Sequence, residues 1–402
     1  MLTALVSLLS EQVVAATLFC KAVGQNGDHL YVITTNRMQT EKKLDSFLTS
    51  LNACGLQFNV HKIILQTEED LGSVTRKLGE ICWDEYSRIL VDITLGTKIM
   101  SIGVYSFFST YQRTPATTIK LYYQPRGLNQ LVDVYNHDEM KIALGTISLH
   151  NYLQAYGVTL RSQECNLVNT CQNTKSLFSD AIKSPDRWAK ATRLFQELRN
   201  AKRPVLHGNR SIALDTESLE EIILGDDAHW GDRYGESDMR LMQKICQNIG
   251  FPPEALTKKH IAYLSGGWFE EWIYVRTIEI VPQLDEEQIG LGVIIETGEQ
   301  VTNELDVALV GTHNSFVCIE CKTSLDAGPQ HGDILNETIY KQAALRKNFG
   351  LNAVSVLAAL NTIPPNTAKA KRAADFGIKI LDLPVLCDET NFRNAITIIA
   401  NR

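Results

Sequence analysis

Apolar and polar positions alternate on two different periods along this chain, and the switch between the periods marks out its elements. In the first third, short apolar runs read as strands and the stretches after them read as helices. The strands are Leu2–Leu9, His29–Thr34, Asn59–Leu65 and Arg88–Ile93. The helices are Glu11–Val23, Thr40–Cys54, Glu68–Cys82 and Thr97–Phe107. Strands alternating with helices of about ten residues or more predict a parallel sheet covered on both faces. After Lys120 the pieces become short and extended, Leu121–Tyr123 and Leu131–Tyr135, which suits an edge hairpin.

From Leu153 to Pro253 the pattern is mostly helical and connective. Ser184 followed by Pro185 reads as an N-cap and first helical position, with a helix running to about Ala201. It carries Arg187, Lys190, Arg193, Arg199, Lys202 and Arg203, a basic set that reads as a solvated face before it reads as a nucleic-acid surface. Ser237–Asn248 is a further helix, ended by Gly250 and Pro252-Pro253. The last 150 or so residues return to mixed α/β. Leu264–Ile278 is expected as an amphipathic helix. Strands follow at Gly290–Glu296, Glu304–Val310, Ser315–Glu320, Ala353–Leu360 and Ile378–Leu383, with helices at Ile334–Asn348 and Ala368–Asp375.

Three domains follow: 1–155, a Rossmann-like α/β unit with a parallel sheet; 156–255, a mostly helical connector with room for a winged-helix-like unit; and 256–402, a second α/β unit. The hydrophobic fraction of 44% is enough for a sizeable core and excludes a disordered or fibrous chain. The formal charge of −7 excludes a uniformly basic coat but leaves room for a local basic groove. No apolar run reaches the ~18 residues that span a bilayer. Met1–Leu9 lacks a basic n-region and is closed by Glu11, so it reads as a strand and not as a secretory signal. The nine cysteines are odd in number and scattered, which fits reduced thiols in a cytoplasm.

The sharpest chemistry lies near the C-terminus. Asn303-Glu304-Leu305-Asp306-Val307 and Glu320-Cys321-Lys322 fall on two strands of one hairpin. Residues two apart share a strand face, so Glu320 and Lys322 project together. An in-register hairpin brings Asp306 to Glu320. Two carboxylates beside a lysine repel each other unless a divalent cation lies between them, and hard oxygen ligands suit Mg²⁺ or Mn²⁺. The carbonyl of Cys321 offers a further ligand, and Lys322 can orient the attacking water. Upstream, Gly266-Gly267-Trp268-Phe269-Glu270-Glu271 opens a helix whose acid can reach the metal through water; Glu270 is the first choice and Glu271 the second. Cys318 and Cys321 have half of a zinc spacing, but on a strand they point to opposite faces and read as buried thiols. His331 reads as a loop residue. Lys341, Gln342 and Arg346, at helical spacing, suit either a phosphate or a solvated face.

This order of acidic helix, strand and E-x-K strand resembles the PD-(D/E)xK nuclease superfamily. The resemblance implies a metal-dependent phosphodiesterase of restriction-endonuclease-like fold. It assigns the metal ligands to Asp306 and Glu320, the lysine to Lys322 and the first-helix acid to Glu270.

In an open parallel sheet, ligands bind beyond the carboxyl ends of the strands. Those ends here are Ser10-Glu11-Gln12, then Thr34-Thr35-Asn36-Arg37, then Thr94-Leu95-Gly96-Thr97-Lys98. Hydroxyls, a backbone N–H and one cation at a helix start suit phosphate, and also serve as ordinary caps. Neither GxGxxG nor GxxxxGK[ST] is present, which disfavours a dinucleotide or P-loop site. The three loops resemble the CARF domain, the cyclic-oligoadenylate sensor of type III CRISPR defence. The resemblance implies that Ser10, Glu11, Gln12, Thr35, Asn36, Thr94, Gly96, Thr97 and Lys98 line the ligand site. Leu95 stands where the family's loop commonly has glycine.

Together the two resemblances imply a CARF-containing PD-(D/E)xK nuclease acting on DNA, RNA or both. They also imply a homodimer sharing one ring, with cyclic tetra-adenylate the favoured activator because its two-fold symmetry matches a C2 pocket. A ligand-responsive transcription regulator using the basic middle helix, or an unregulated restriction or repair nuclease, are the alternatives.

Overall fold

The computed structural model describes residues 2–401 apart from 112–116, 136–140, 165–170, 201–210, 216–217, 220–233, 299 and 326–332. The N-terminal unit is built from β1 (Thr3–Leu8), α1 (Val13–Val23), β2 (His29–Thr35), α2 (Asn36–Thr40), α3 (Lys43–Ala53), β3 (Asn59–Leu65), α4 (Leu71–Gly79), β4 (Arg88–Asp92), α5 (Lys98–Thr110), β5 (Thr118–Tyr123), β6 (Gln130–Asp133), β7 (Lys141–Ala143) and α6 (Leu149–Ala155). Its sheet has the order β3-β2-β1-β4-β5-β6-β7, parallel through β5 and antiparallel beyond. The order reverses between β1 and β4, so the loops after these two strands flank a crevice.

β1 is central and carries a run of buried residues, Ala4 to Leu8, as expected of a strand covered on both faces. The single helix expected over Thr40–Cys54 is two helices. Lys42 adopts φ 56, a left-handed conformation no helix interior accepts, and the chain turns there between α2 and α3. The helix expected over Glu68–Cys82 is shorter. Asp70 caps it by accepting from Gly72 N–H, and beyond Gly79 the chain folds Trp83 into the core.

The middle segment holds β8 (Thr159–Glu164), α7 (Cys171–Lys183), α8 (Pro185–Asn200), β9 (Ser211–Ile212), α9 (Glu236–Asn248), β10 (Leu256–Thr257) and α10 (Lys258–Ala262). It is more than a connector. β8 joins the C-terminal sheet at its edge, and α7–α9 contribute Phe178, Trp188, Leu194, Phe195 and Met242 to the same hydrophobic core as that sheet's Val307, Leu309 and Ile319. The basic charges of α8 are partly paired: Lys190 with Asp238 at 2.5 Å and Arg193 with Glu197 at 3.5 Å. Lys202 and Arg203 lie outside the described residues.

The C-terminal unit comprises α11 (Trp268–Ile280), β11 (Ile289–Glu296), β12 (Thr302–Val310), β13 (Phe316–Lys322), α12 (Ile334–Arg346), β14 (Val354–Ala359), α13 (Ala368–Asp375), β15 (Ile378–Leu381), α14 (Leu383–Cys387) and α15 (Glu389–Ala400). The sheet order is β15-β14-β13-β12-β11-β8, with β11 to β13 antiparallel and β13 to β15 parallel. The helix expected to be amphipathic, α11, is buried on most sides instead. Trp272 stacks on Phe178 of α7 at 3.8 Å and on Phe392 of α15 at 5.2 Å, so neighbours cover both flanks. The other sheet face, including Leu305 and Phe316, shares one core with the N-terminal unit through Tyr152 and Leu153 of α6. No helix among the described residues is long and apolar enough to cross a membrane. Seven described cysteines are free.

Candidate functional site

The β12–β13 ladder runs in register from Val310↔Phe316 to Val307↔Ile319. The next positions are Asp306 and Glu320, facing each other where the ladder ends. Cys321 N–H donates to Asp306 Oδ2 at 2.7 Å. In an extended strand a residue's N–H and C=O leave by the same edge, so the Cys321 carbonyl also faces the strand of Asp306. Lys322 Nζ donates to Glu320 Oε1 at 2.8 Å, as two positions on one strand face allow. The expected pairing of Asp306, Glu320 and Lys322 is thus present, and the edge of Cys321 joins it.

The strands are irregular at this point. Leu305 packs in the N-terminal core while Val307 and Leu309 pack in the other, so the alternation of β12 breaks at Asp306. On β11, Gly292 lies between Leu291↔Val307 and Val293↔Leu305, opposite Asp306, with φ 55. Glycine takes that conformation at little cost. The break turns a carboxylate into a place where regular alternation would leave an apolar side chain.

Three acids meet here with few cations. Glu320 is 3% exposed and Asp306 9%. Burial would push Glu320 up, but Lys322 and Lys341 outweigh it and hold its carboxyl below the usual range. Asp306 goes the other way: burial and the Glu320 charge raise it to about 6. Burial, Asp306 and Glu304 push Glu270, on the first turn of α11, up to about 8. For Lys322, burial alone would lower the ammonium, but Glu320 and Asp306 keep it raised and charged. Glu270 therefore feels the charges of this cluster. Glu271 is 1% exposed, in the packed interior of α11. A π-helical turn, Tyr263–Gly267, leads into α11 and sets where Glu270 enters.

Two further residues belong here. Lys341 Nζ contacts Glu320 Oε1 and Oε2, both at 3.0 Å, and Gln342 Nε2 reaches Oε2 at 3.4 Å. Their spacing suits either a phosphate or a solvated face; their partner in the structure is a carboxylate. Arg346, grouped with them by spacing, is elsewhere, donating to the Phe376 carbonyl at 2.9 Å. Arg199 of α8 lies near enough to pull Glu270 down, a contribution that no spacing in the sequence signals. Cys318 and Cys321 are buried in different cores. His331 lies outside the described residues. Among the described residues, no group of three or more His, Cys, Asp and Glu side chains is placed to hold a metal ion. The donors that do converge are the Asp306 and Glu320 carboxylates and a backbone carbonyl, an all-oxygen set that fits a hard divalent cation.

In the N-terminal unit, the loops after β1, β2 and β4 stand together at the carboxyl end of the sheet. Thr35 Oγ1 accepts from Met38 N–H at 3.4 Å and caps α2, with Asn36 the first residue of that helix. Thr97 Oγ1 accepts from Met100 N–H at 3.2 Å and caps α5, and it also donates to the Glu68 carbonyl. Lys98, the first residue of α5, is exposed. Gly96 has φ 81 and supplies the turn into the helix. Thr94 Oγ1 accepts from Gln124 N–H at 2.9 Å. Beneath the loop, Asp92 is 1% exposed, accepts from Thr94 N–H at 2.9 Å and is pushed up by burial to about 6.

Glu11 pairs with Arg37 at 3.2 Å. Ser10 Oγ accepts from Gln12 N–H at 3.2 Å. Gln12 reaches across the molecule: its Oε1 accepts from Tyr156 Oη at 3.3 Å and from Leu351 N–H at 3.0 Å. A cavity of about 620 Å³ opens beside this contact, lined among others by Glu11, Gln12, Tyr156, Arg346 and Leu351.

The sequence matches known families at both ends. Residues 4–152 match the Card1 CARF domain, and residues 257–391 match the Card1-like endonuclease domain. No curated protein matches the chain. Among solved structures, protein VC1899 from Vibrio cholerae aligns with a TM-score of 0.77 at 17% identity, over 100% of this chain and 99% of that one. Can2 from Sulfobacillus thermosulfidooxidans, in complex with cyclic tetra-adenylate, aligns with a TM-score of 0.70 at 18% identity, again over 100% and 99%. A type III CRISPR defence DNA nuclease activated by cyclic oligoadenylate aligns with a TM-score of 0.52 at 15% identity, over 95% of this chain and 48% of that one. The chain thus carries a Card1-type CARF domain at its N-terminal end and a Card1-like endonuclease domain at its C-terminal end.

Proposed function

We propose that the chain is a metal-dependent endonuclease of type III CRISPR defence, switched on by cyclic tetra-adenylate and cleaving phosphodiester bonds in DNA, RNA or both. The observation that carries this reading is the meeting of Asp306, Glu320, Lys322 and Glu270 at one break in the sheet of an endonuclease domain. The same chain bears a CARF domain, and the likeness to Can2 with its bound ring supports the choice of activator. Residues 1–155 serve as the sensor, 156–255 as the connector that also adds an edge strand to the nuclease sheet, and 256–402 as a PD-(D/E)xK nuclease.

Asp306, Glu320 and the Cys321 carbonyl would hold Mg²⁺ or Mn²⁺. Once bound, the cation supplies Lewis-acid stabilisation of the phosphoryl oxygens and a water of lowered pKa. Lys322, held charged by its two acidic neighbours, orients the attacking water and offsets charge on the phosphorus oxygens. Glu270, whose carboxyl is pushed up to about 8 in the metal-free protein, would give up that proton when a cation neutralises the cluster and, as a carboxylate, accept one from the water.

The sensor reading places Ser10, Glu11, Gln12, Thr35, Asn36, Thr94, Gly96, Thr97 and Lys98 around the ring. Lys98 supplies charge to a phosphate, and the start of α5 supplies backbone N–H groups. Two chains share one ring about a C2 axis. An apolar strip on α4 and α5 beside these loops supports that pairing: Leu71, Ile99, Ile102 and Tyr105 are all exposed. Free thiols support a reducing, cytoplasmic setting.

The test is purified protein with Mn²⁺, supercoiled DNA and single-stranded RNA, with and without cyclic tetra-adenylate. Cleavage is expected only with both ring and metal. Equal cleavage without the ring sinks the sensor reading, and full cleavage in EDTA sinks the metal reading.

A further inference from the structure

Glu320 has no acceptor capacity to spare. A carboxylate offers about four lone-pair positions, and four contacts reach this one. Lys322 and Lys341 meet Oε1 at 2.8 and 3.0 Å; Lys341 and Gln342 meet Oε2 at 3.0 and 3.4 Å. Any cation that takes Glu320 must therefore displace a donor. Gln342 is fully buried on α12 and also reaches Cys318 Sγ at 3.6 Å, so it is fixed by its surroundings. The choice falls between the lysines.

Lys322 sits on the same strand as Glu320, and its side chain is 28% exposed; Lys341 comes from α12, and its side chain is 41% exposed. Releasing the more exposed ammonium costs less, because water can take over its hydrogen bonds. Lys341 also spans both oxygens of Glu320, so its departure opens both at once. Lys322 remains beside Asp306 whether or not Glu320 is shared.

We propose that Lys341 is an internal counter-ion of Glu320, one that gives way to the divalent cation and thereby sets the metal affinity of the site. The inference rests on the metal-dependent nuclease reading above. Lys341 is a positioning residue here: it keeps a buried carboxylate charged and in place while the cation is absent, and competes with the cation when it is present. A purely structural lysine makes the opposite prediction, because its removal would leave Glu320 misplaced and weaken metal binding.

The experiment is a Mn²⁺ titration of the EDTA-stripped full chain without nucleic acid, with free Mn²⁺ followed by electron paramagnetic resonance. The proteins are wild type, Lys341→Met, Lys341→Arg and Glu320→Ala, each checked for folding by its thermal melt. Lys341→Met keeps the aliphatic stem without the charge and is expected to bind Mn²⁺ about tenfold more tightly than wild type. Lys341→Arg is expected to bind more weakly, because a guanidinium holds both carboxylate oxygens in a fixed fork. Lys341→Met binding no tighter than wild type overturns the proposal. Should that variant fail to fold, Lys341→Arg binding as tightly as wild type overturns it equally. If wild type binds no better than Glu320→Ala, the metal reading itself fails and takes the proposal with it.

Discussion

Gln12 and Leu351 lie 339 positions apart and share a hydrogen bond of 3.0 Å, from the Leu351 N–H to Gln12 Oε1. Gln12 belongs to the loop that closes the first strand of the CARF domain. Leu351 follows α12, the helix whose Lys341 and Gln342 hold Glu320. One side chain of the proposed ligand loop therefore touches the segment that leads to the proposed nuclease centre. A ligand can shift an equilibrium only through contacts that differ between its two states, and this contact is available to differ.

That junction can be disturbed without replacing a residue of either site. Gly350 has φ 82, and a Cβ there would lie 2.3 Å from Tyr156 Oη. Gly350→Ala should cost at least about 2 kcal/mol of stability, from the left-handed conformation and the clash together. Cyclic tetra-adenylate should bind as in wild type while activating cleavage poorly. Calorimetry of the ring and cleavage titrations on the same preparation separate the two effects; normal activation would show that the junction carries no signal.

At the proposed nuclease centre, Asp306→Ala, Glu320→Ala and Lys322→Ala should each lower cleavage by about two to three orders of magnitude or more. Ring binding should be unchanged, because these residues lie in the other domain. Turnover measured at saturating ring and metal checks this, and residual activity within tenfold of wild type in any of the three would remove that residue from the site.

Metal binding should depend on pH with a definite sign. Asp306 is raised to about 6 and Glu270 to about 8 in the metal-free protein, so each stays protonated until the pH passes those values. A bound cation requires its carboxylates charged. Mn²⁺ affinity should therefore rise from pH 5 to 8, with protons released on binding near neutrality. Calorimetry in two buffers of different ionisation enthalpy counts those protons.

Lys98 is exposed at the first position of α5, next to the cap Thr97. A charge-assisted contact is worth about 1.5–3 kcal/mol, or roughly one to two decades in affinity, and a dimer presents it twice to one ring. Lys98→Ala should shift the activation midpoint upward at least about tenfold and leave cleavage at a large excess of ring partly intact. An unchanged midpoint would reduce this loop to a helix cap.

Asp92 offers a stability test. Its folded value is about 6 against an ordinary 3.8, from burial. An acid raised on folding favours the protonated native state, so the protein loses stability as pH climbs from about 4 to 6 and stays at the lower level above. Asp92→Asn should match wild type at pH 4 and exceed it by about 2 kcal/mol at pH 7.5. Denaturant melts at the two pH values read the difference, and equal stability at both would mean that the buried carboxylate carries no net cost.

Patterns that involve near neighbours were legible in the sequence. The alternation of apolar runs and helical stretches placed β1 to β4 to within a residue or two; for β1, β2 and β4 the reason is that a buried parallel strand is apolar along most of its length. The E-x-K spacing brought Glu320 and Lys322 to one face, because side chains repeat every two residues in a strand. The hairpin placed Asp306 opposite Glu320, since the short loop fixes the register.

What tertiary structure alone decided involves partners far apart in the chain. α11 looked amphipathic, but α7 and α15 cover it, and no local pattern announces a neighbour that arrives from another domain. β8 looked like part of a connector, yet it completes a sheet whose other strands lie more than a hundred residues downstream. Lys341 and Gln342 carried a helical spacing open to two readings. The packing of α12 against β13 gave them a carboxylate for a partner, because a buried charge such as Glu320 must gather its counter-ions from whatever element reaches it.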